Sequence, residues 1–209
     1  PGFVKEKEGF FMKCNYLTIE REYGSGGTKI ARRLAEESGL PCYGAEILES
    51  VSQSIHVPVE QIQKYEESVS NSFLYTLFMM SRADADKSDM LNREGHIYVA
   101  EQDEIRHLAN QSRAIFLGHC ASEALKERRG VVKVFIRAEE EDKKQRIMED
   151  YQIPENKLES VRKRFDSKRA KYYYANTAKR WNDLNNYDIV LNSSRLGLDG
   201  CVELLKGLL

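Results

Sequence analysis

The chain has 209 residues, 41% of them hydrophobic and 31% charged, and its 32 basic and 33 acidic side chains leave a formal charge of -1. That length suits one α/β domain with a real core better than two small ones. The balance excludes wholesale disorder and a molecule-wide field that would draw the protein onto nucleic acid or anionic lipid. Residues 1–11 are charged, lack the apolar stretch and cleavage site of a secretory signal, and read as an extension or cloning remnant ahead of Met12. A cytoplasmic location is therefore expected, with residues 12–209 as a single domain.

Asn15 to Glu20 is apolar and β-branched in its middle, then gives way to a glycine turn and a helical pattern. From Thr28 to Ser38, Ile30, Ala31, Leu34 and Ala35 share one helical face, and Gly39 with Pro41 stops the helix. A strand from Pro41 to Tyr43 and a helix around Glu46 to Ser54 follow. The long stretch from about residue 57 to 111 is poor in strand signals and reads as a helical insertion. Its Phe73, Leu74, Leu77 and Phe78 form a packed stripe, and the apolar run from Phe73 to Met80 falls far short of the roughly 20 residues a bilayer needs. Strands are expected at Ala114–Leu117, Val131–Ile136 and Tyr187–Leu191, and a closing helix at Leu198–Leu208, the alternation of a parallel sheet. Cys14, Cys42, Cys120 and Cys201 are scattered without a C-x-x-C pair, so free thiols are expected rather than a zinc site or disulfides.

The turn Gly24-Ser25-Gly26-Gly27, followed by Thr28 and Lys29, lies between a strand and a helix. Glycines there turn backbone N–H groups inward, and the helix adds unsatisfied N–H groups and the positive end of its dipole, which together cradle an anion. The turn is not a dinucleotide fingerprint, and it departs from the Walker A pattern because Gly27 stands where the phosphate-binding lysine belongs. Lys29 sits about 200° around the helix from residue 27. Arg21, at the loop mouth, is the better candidate for the missing charge, with an ordinary surface arginine as the alternative.

The run Ile19-Glu20-Arg21-Glu22-Tyr23-Gly24-Ser25-Gly26-Gly27, with Gly39-Leu40-Pro41-Cys42-Tyr43, Gly118-His119-Cys120-Ala121, Asp166 to Tyr173, Trp181 and Tyr187 to Gly197, resembles the cytidylate kinase-like family over most of the chain from Met12 onward. The resemblance implies a P-loop NTPase-like parallel sheet of about five strands flanked by helices, with a helical insertion and a helical lid at about residues 139–181. It implies ATP and Mg²⁺ as cofactors, a nucleotide and a small phosphate acceptor as partners, Thr28 in the slot of a magnesium-ligating hydroxyl, and Arg146 at the donor nucleotide. His119, Cys120 and Tyr173 fall in the acceptor region. Where true cytidylate kinases carry Gly-Arg-Asp, this chain has Gly118-His119-Cys120, so cytidine specificity does not transfer. His119 reads equally as a structural loop residue. Leu117-Gly118 also stands where an acidic metal ligand is expected.

Arg162, Asp166, Arg169 and Tyr173 recur at i, i+4, i+7 and i+11 on one helical face, beside an apolar edge of Leu158, Val161 and Phe165. Arginines that close over phosphates neutralise the charge of a transferred phosphoryl group; a solvated charged helix is the alternative. Glu139/Lys143, Glu140/Lys144 and Asp142/Arg146 read as i,i+4 pairs that stabilise the preceding helix. The leading expectation is a kinase acting on a nucleoside monophosphate or related acceptor. The alternative is a nucleotide- or phosphate-binding sensor with a degenerate loop. RNA binding ranks low, since the charge is near neutral and no RRM or KH signature is present. A homodimer is left open.

Overall fold

A computed structural model of the chain describes residues 14–60, 62 and 89–209. The stripe at Phe73–Phe78 and the extension at residues 1–11 lie outside them. Five strands, β1 (Tyr16–Arg21), β2 (Cys42–Tyr43), β3 (Ala114–Leu117), β4 (Val131–Arg137) and β5 (Ile189–Asn192), form one sheet in the order β2-β3-β1-β4-β5. Every pairing is parallel, with Tyr16 to Ile19 opposite Ala114 to Leu117 on one side and Tyr16 to Arg21 opposite Val131 to Ile136 on the other. Parallel neighbours need crossovers. Among the described residues these contain the helices α1 (Gly27–Ser38), α2 (Ala45–Ile55), α3 (Asp89–Gln111), the short α4 (Ala121–Ala124), α5 (Glu140–Tyr151) and α6 (Glu155–Thr177), and α7 (Ser193–Lys206) follows β5.

Alternation along the strands divides the core. Leu17, Ile19, Ile115, Leu117, Val134 and Ile136 face Ile30, Ala31 and Leu34 of α1 and Cys201, Val202 and Leu205 of α7. On the other face, Ala114 and Phe116 pack with Ile47, Leu48 and Val51 of α2 and Ile97, Ile105 and Ala109 of α3. Beyond this two-sided core, α6 lies over the carboxyl ends of the strands and contributes to two further clusters. Leu158, Val161 and Phe165 gather around Tyr23, and Tyr173 joins Cys120, Phe135, Trp181 and Tyr187. The apolar edge expected on that helix is thus what seats it on the loop after β1.

Two boundaries and one pairing pattern differ from expectation for local reasons. Strand β5 begins at Ile189, because Tyr187 ends a 3₁₀ turn and its hydroxyl donates to Trp181 O at 2.7 Å. Helix α7 begins at Ser193, where Asn192 caps it by accepting from Ser194 N–H. Gly197 (φ 68, ψ 168) then kinks it, so the stretch expected from Leu198 is its second half. On α5 the expected i,i+4 pairs give way to shorter reaches: Lys143 to Glu140 (2.7 Å) and Lys144 to Glu141 (2.8 Å), both i,i+3. All four cysteines are free thiols, and no helix among the described residues is long and apolar enough to cross a membrane.

Ile30 is fully buried between α1 and the sheet. Ile30→Ala is expected to lower stability by about 2–5 kcal/mol through lost transfer energy and a residual cavity, read as a reduced urea midpoint with an unchanged slope.

Candidate active site

β1 runs straight into the glycine turn. Gly24 (φ 81) and Gly26 (φ 78) hold left-handed backbone, and α1 starts at Gly27. The first helical bond is from Ile30 N–H to Gly26 O at 2.9 Å, so the amides of Gly27, Thr28 and Lys29 stand outside the helix's own ladder. Gly27 N–H makes only a long 3.4 Å contact with the buried Ser25 Oγ. Thr28 is exposed in the first turn. Three amides at the positive end of a helix, beside a loop with two left-handed glycines, form an anion-binding cradle.

The cradle is braced from behind by residues far away in sequence. Arg146 of α5 donates through Nη1 to Ser25 O (3.1 Å) and to Ser193 Oγ (2.9 Å), and Ser193 Oγ donates to Ser25 O (2.6 Å). Arg146 therefore reaches the loop rather than Asp142, and its Nη1 is committed to protein carbonyl and hydroxyl groups. Lys143, 3% exposed, pairs with Glu22 (3.1 Å) as well as Glu140, and Glu22 Oε2 also accepts from Ala138 N–H. Leu198 closes over Gly26, where an added Cβ would lie 2.5 Å from its Cδ2. Lys29 turns outward and pairs with Asp150 at 2.5 Å, as its helical angle requires.

Arg21 shapes the space in front. A Cβ on Gly27 would lie 2.6 Å from Arg21 Cβ, and one on Gly118 would lie 2.7 Å from Arg21 Nη1. The side chain therefore runs across two positions that have to be glycine. Burial, and then the charge of Arg169, push the Arg21 guanidinium down to about 10, and its buried Nε has no hydrogen-bond partner among the described residues. Arg169 Nη1 donates to Arg21 O at 3.0 Å and its guanidinium lies 5.7 Å from the Tyr23 ring centre. Burial lowers the Arg169 pKa too, with Asp166 as the main opposing charge. Asp166 accepts from Tyr23 N–H at 2.7 Å and stands 3.8 Å from both Arg162 and Arg169. Its carboxyl is raised by burial against the effect of that N–H. Tyr23 stacks on Phe165 with ring centres 4.4 Å apart, which fixes α6 on the loop.

On the other side, β3 ends in three successive left-handed residues, Gly118 (φ 80), His119 (φ 55) and Cys120 (φ 51). Two of them carry a Cβ, a strained arrangement that persists only where the surroundings enforce it. Here α3 enforces it: Gln102 donates to His119 O at 3.2 Å, and Glu101, fully buried, lies 3.6 Å from His119 Nδ1 and accepts from the Tyr172 hydroxyl. Between this turn, the end of β1 and α6 lies a cavity of about 330 Å³. Arg21, Arg169, His119, Cys120 and Tyr173 line it, together with Glu20, Phe165, Lys168 and Tyr172. Tyr173 is buried in its aromatic cluster, and its hydroxyl is pushed up to about 12, chiefly by that burial.

Of the residues singled out by sequence, the cavity unites those from the ends of β1 and β3 with Arg169 and Tyr173. Arg162 and Asp166 stand one layer behind, and Arg146 stands behind the loop. Glu20, whose Oε2 accepts from Trp181 Nε1 at 3.1 Å, was not foreseen, nor were Glu101, Ser193 and Lys143. Glu20 had a usable signal, since a charged residue inside an apolar central strand is costly unless it has partners and a task. The other three offer none in sequence. Among the described residues no group of three or more His, Cys, Asp or Glu side chains is placed to hold a metal.

A model of the cytidylate kinase-like family matches residues 16–195. No curated protein matches the chain. Among solved structures, an uncharacterized protein from Eubacterium ventriosum shares 22% identity, with 91% of this chain and 94% of that one covered at a TM-score of 0.67. A Thermus thermophilus protein shares 14% identity over 94% and 96% of the two chains, with a TM-score of 0.51. The shikimate kinase of Bacteroides thetaiotaomicron shares 13% identity over 92% and 96%, with a TM-score of 0.49. At such identities the first two likenesses concern the fold alone, a five-stranded parallel sheet flanked by helices.

Arg146→Ala removes the guanidinium that ties the loop carbonyls to α7. Stability is expected to fall by about 1–3 kcal/mol, with faster hydrogen exchange concentrated at residues 24–29 and 193–198. Exchange that stays unchanged in both segments would show that the brace is dispensable.

Proposed function

Because the chain belongs to the cytidylate kinase-like family, we propose that it transfers the terminal phosphoryl group of ATP to a small acceptor bound at the carboxyl ends of β1 and β3. In this reading Arg21 has the part that a lysine at position 27 takes in other phosphate-binding loops. One observation carries it: the stem of Arg21 fills the space that a side chain on residue 27 would need. Glycine in the lysine slot is then a relocation of the cation from the start of α1 to the end of β1. It brings the charge into the same cavity as Arg169.

The amides of Gly27, Thr28 and Lys29 with the Gly24–Gly26 turn bind the nucleotide phosphates, and Arg21 and Arg169 neutralise the group in transit. Asp166 holds Arg162 and Arg169 in position, and α6, seated on Tyr23, acts as the lid. Magnesium, when bound with the nucleotide, would screen its phosphate oxygens. The Thr28 hydroxyl, exposed in the first turn of α1, would be a single ligand to it, in keeping with an ion that arrives with substrate phosphates and keeps its waters. ATP use fits a cytoplasmic enzyme, and a nucleoside monophosphate is one acceptor to be tested. The second reading, a sensor that binds nucleotide without transfer, draws on Gly27 in the lysine slot.

The test is calorimetric ATP binding and ADP release across a panel of acceptors. Arg21→Ala and Arg169→Ala are each expected to lower turnover by about 10²–10³-fold. Arg21→Met, which removes a buried cation and keeps its stem, is expected to hold or raise Tm while losing nucleotide affinity. Gly27→Lys alone collides with Arg21, whereas Arg21→Gly combined with Gly27→Lys restores affinity. If the single Gly27→Lys variant binds ATP as well as the double variant, the relocation is wrong; tight binding with no turnover for any acceptor establishes the sensor.

A further inference from the structure

The kinase reading leaves the acceptor open, and the turn after β3 bears on it. A phosphate acceptor is already an oxyanion and needs cations, whereas an alcohol needs a group that removes its proton as the oxygen attacks. The cavity holds such a group. His119 lines it, with Nδ1 turned to the buried carboxylate of Glu101 at 3.6 Å. That distance is in ion-pair range and just beyond a hydrogen bond, as is common in sites without substrate. A carboxylate at Nδ1 favours the tautomer with its proton there and leaves Nε2 as the basic nitrogen.

Two contacts hold this pair in place, against the strain of a third feature. Glu101 is fixed by the Tyr172 hydroxyl, His119 O by Gln102, and the histidine sits in backbone that glycine would adopt more readily. Strain of that kind, maintained by buried residues of another helix, marks a side chain that is needed where it is. Glu20, the other carboxylate lining the cavity, is a poorer base: Trp181 donates to it, and it is the counter-charge to Arg21 and Arg169.

We propose that His119, oriented by Glu101, is the general base of this site, and that the acceptor is a small alcohol rather than a nucleoside monophosphate. The hydroxyl proton passes to Nε2 of His119 as the alcohol oxygen bonds to the terminal phosphorus of ATP. The bond from that phosphorus to the bridging oxygen breaks, releasing ADP and a phosphate monoester, and the imidazolium returns its proton to solvent. This assignment rests on the kinase reading, and the product distinguishes the two.

The full chain with ATP and Mg²⁺ is incubated with a panel of uncharged polyols and amino alcohols and with a panel of nucleoside monophosphates, and products are read by ³¹P NMR. A new phosphate monoester signal is expected. It should fall about 10²–10⁴-fold in His119→Gly with ATP affinity unchanged, and return in part when imidazole is added. His119→Gly suits the left-handed backbone, so circular dichroism should show a folded protein. Glu101→Gln should lower turnover without changing the acceptor's apparent KM. A phosphoanhydride product would leave the kinase standing and overturn the alcohol assignment. So would a monoester whose formation is insensitive to His119→Gly, Glu101→Gln and imidazole, or abolished by Glu20→Gln alone. No product from either panel, with ATP bound, sinks both readings.

Discussion

Two guanidinium groups share one partly dry cavity, and much of the surrounding structure follows from accommodating them. Burial and the neighbouring Arg169 weaken the hold of Arg21 on its proton. Like charges held together out of water are unfavourable unless counter-charges stand close by. Glu20 on the same strand and Asp166 on α6 supply them. Both carboxylates are anchored, Glu20 by Trp181 and Asp166 by the Tyr23 amide. The two cations and their counter-charges are thus held in place by the fold rather than left to rearrange in solvent.

The same constraint explains the glycines that make this loop unlike a standard one. Position 27 lacks a side chain because the stem of Arg21 crosses it, and position 118 holds left-handed backbone (φ 80) with the guanidinium tip beside it. A change at any of the three positions therefore alters what the others can be. Arginine at the end of β1 is a planar fork with five donors, which can bridge oxygens of two groups where an ammonium acts as a point charge. With no side chain at position 27, the first turn of α1 presents its backbone amides and Thr28.

Most of the sheet was legible in the sequence because each strand is short, apolar and followed by a helical period. Ala114–Leu117 was read to the residue, and the remaining boundaries moved by one or two positions except at α7, where Gly197 divides one helix into two pieces. The loop was legible too, through its glycines and its place between strand and helix. The residues that brace and complete the site were not. Ser193 reaches Ser25 across 168 residues, and Arg146 and Lys143 cross more than 100, so no local pattern announces those contacts. Glu101 lay hidden in a long helical stretch whose charged residues look alike until α3 is set against the turn after β3. The i,i+4 pairing on α5 misled because Lys143 and Arg146 are drawn to the loop, where buried partners outweigh exposed neighbours.

The hydroxyl of Ser193 and the methyl groups of Leu198 lie against the back of the glycine turn, with 168 positions of sequence between Ser25 and Ser193. The first strand and helix can form from their own local contacts, but the turn between them is set only once α7 has docked. Cutting the chain ahead of Ser193 would therefore loosen the turn after β1 without altering a residue in it.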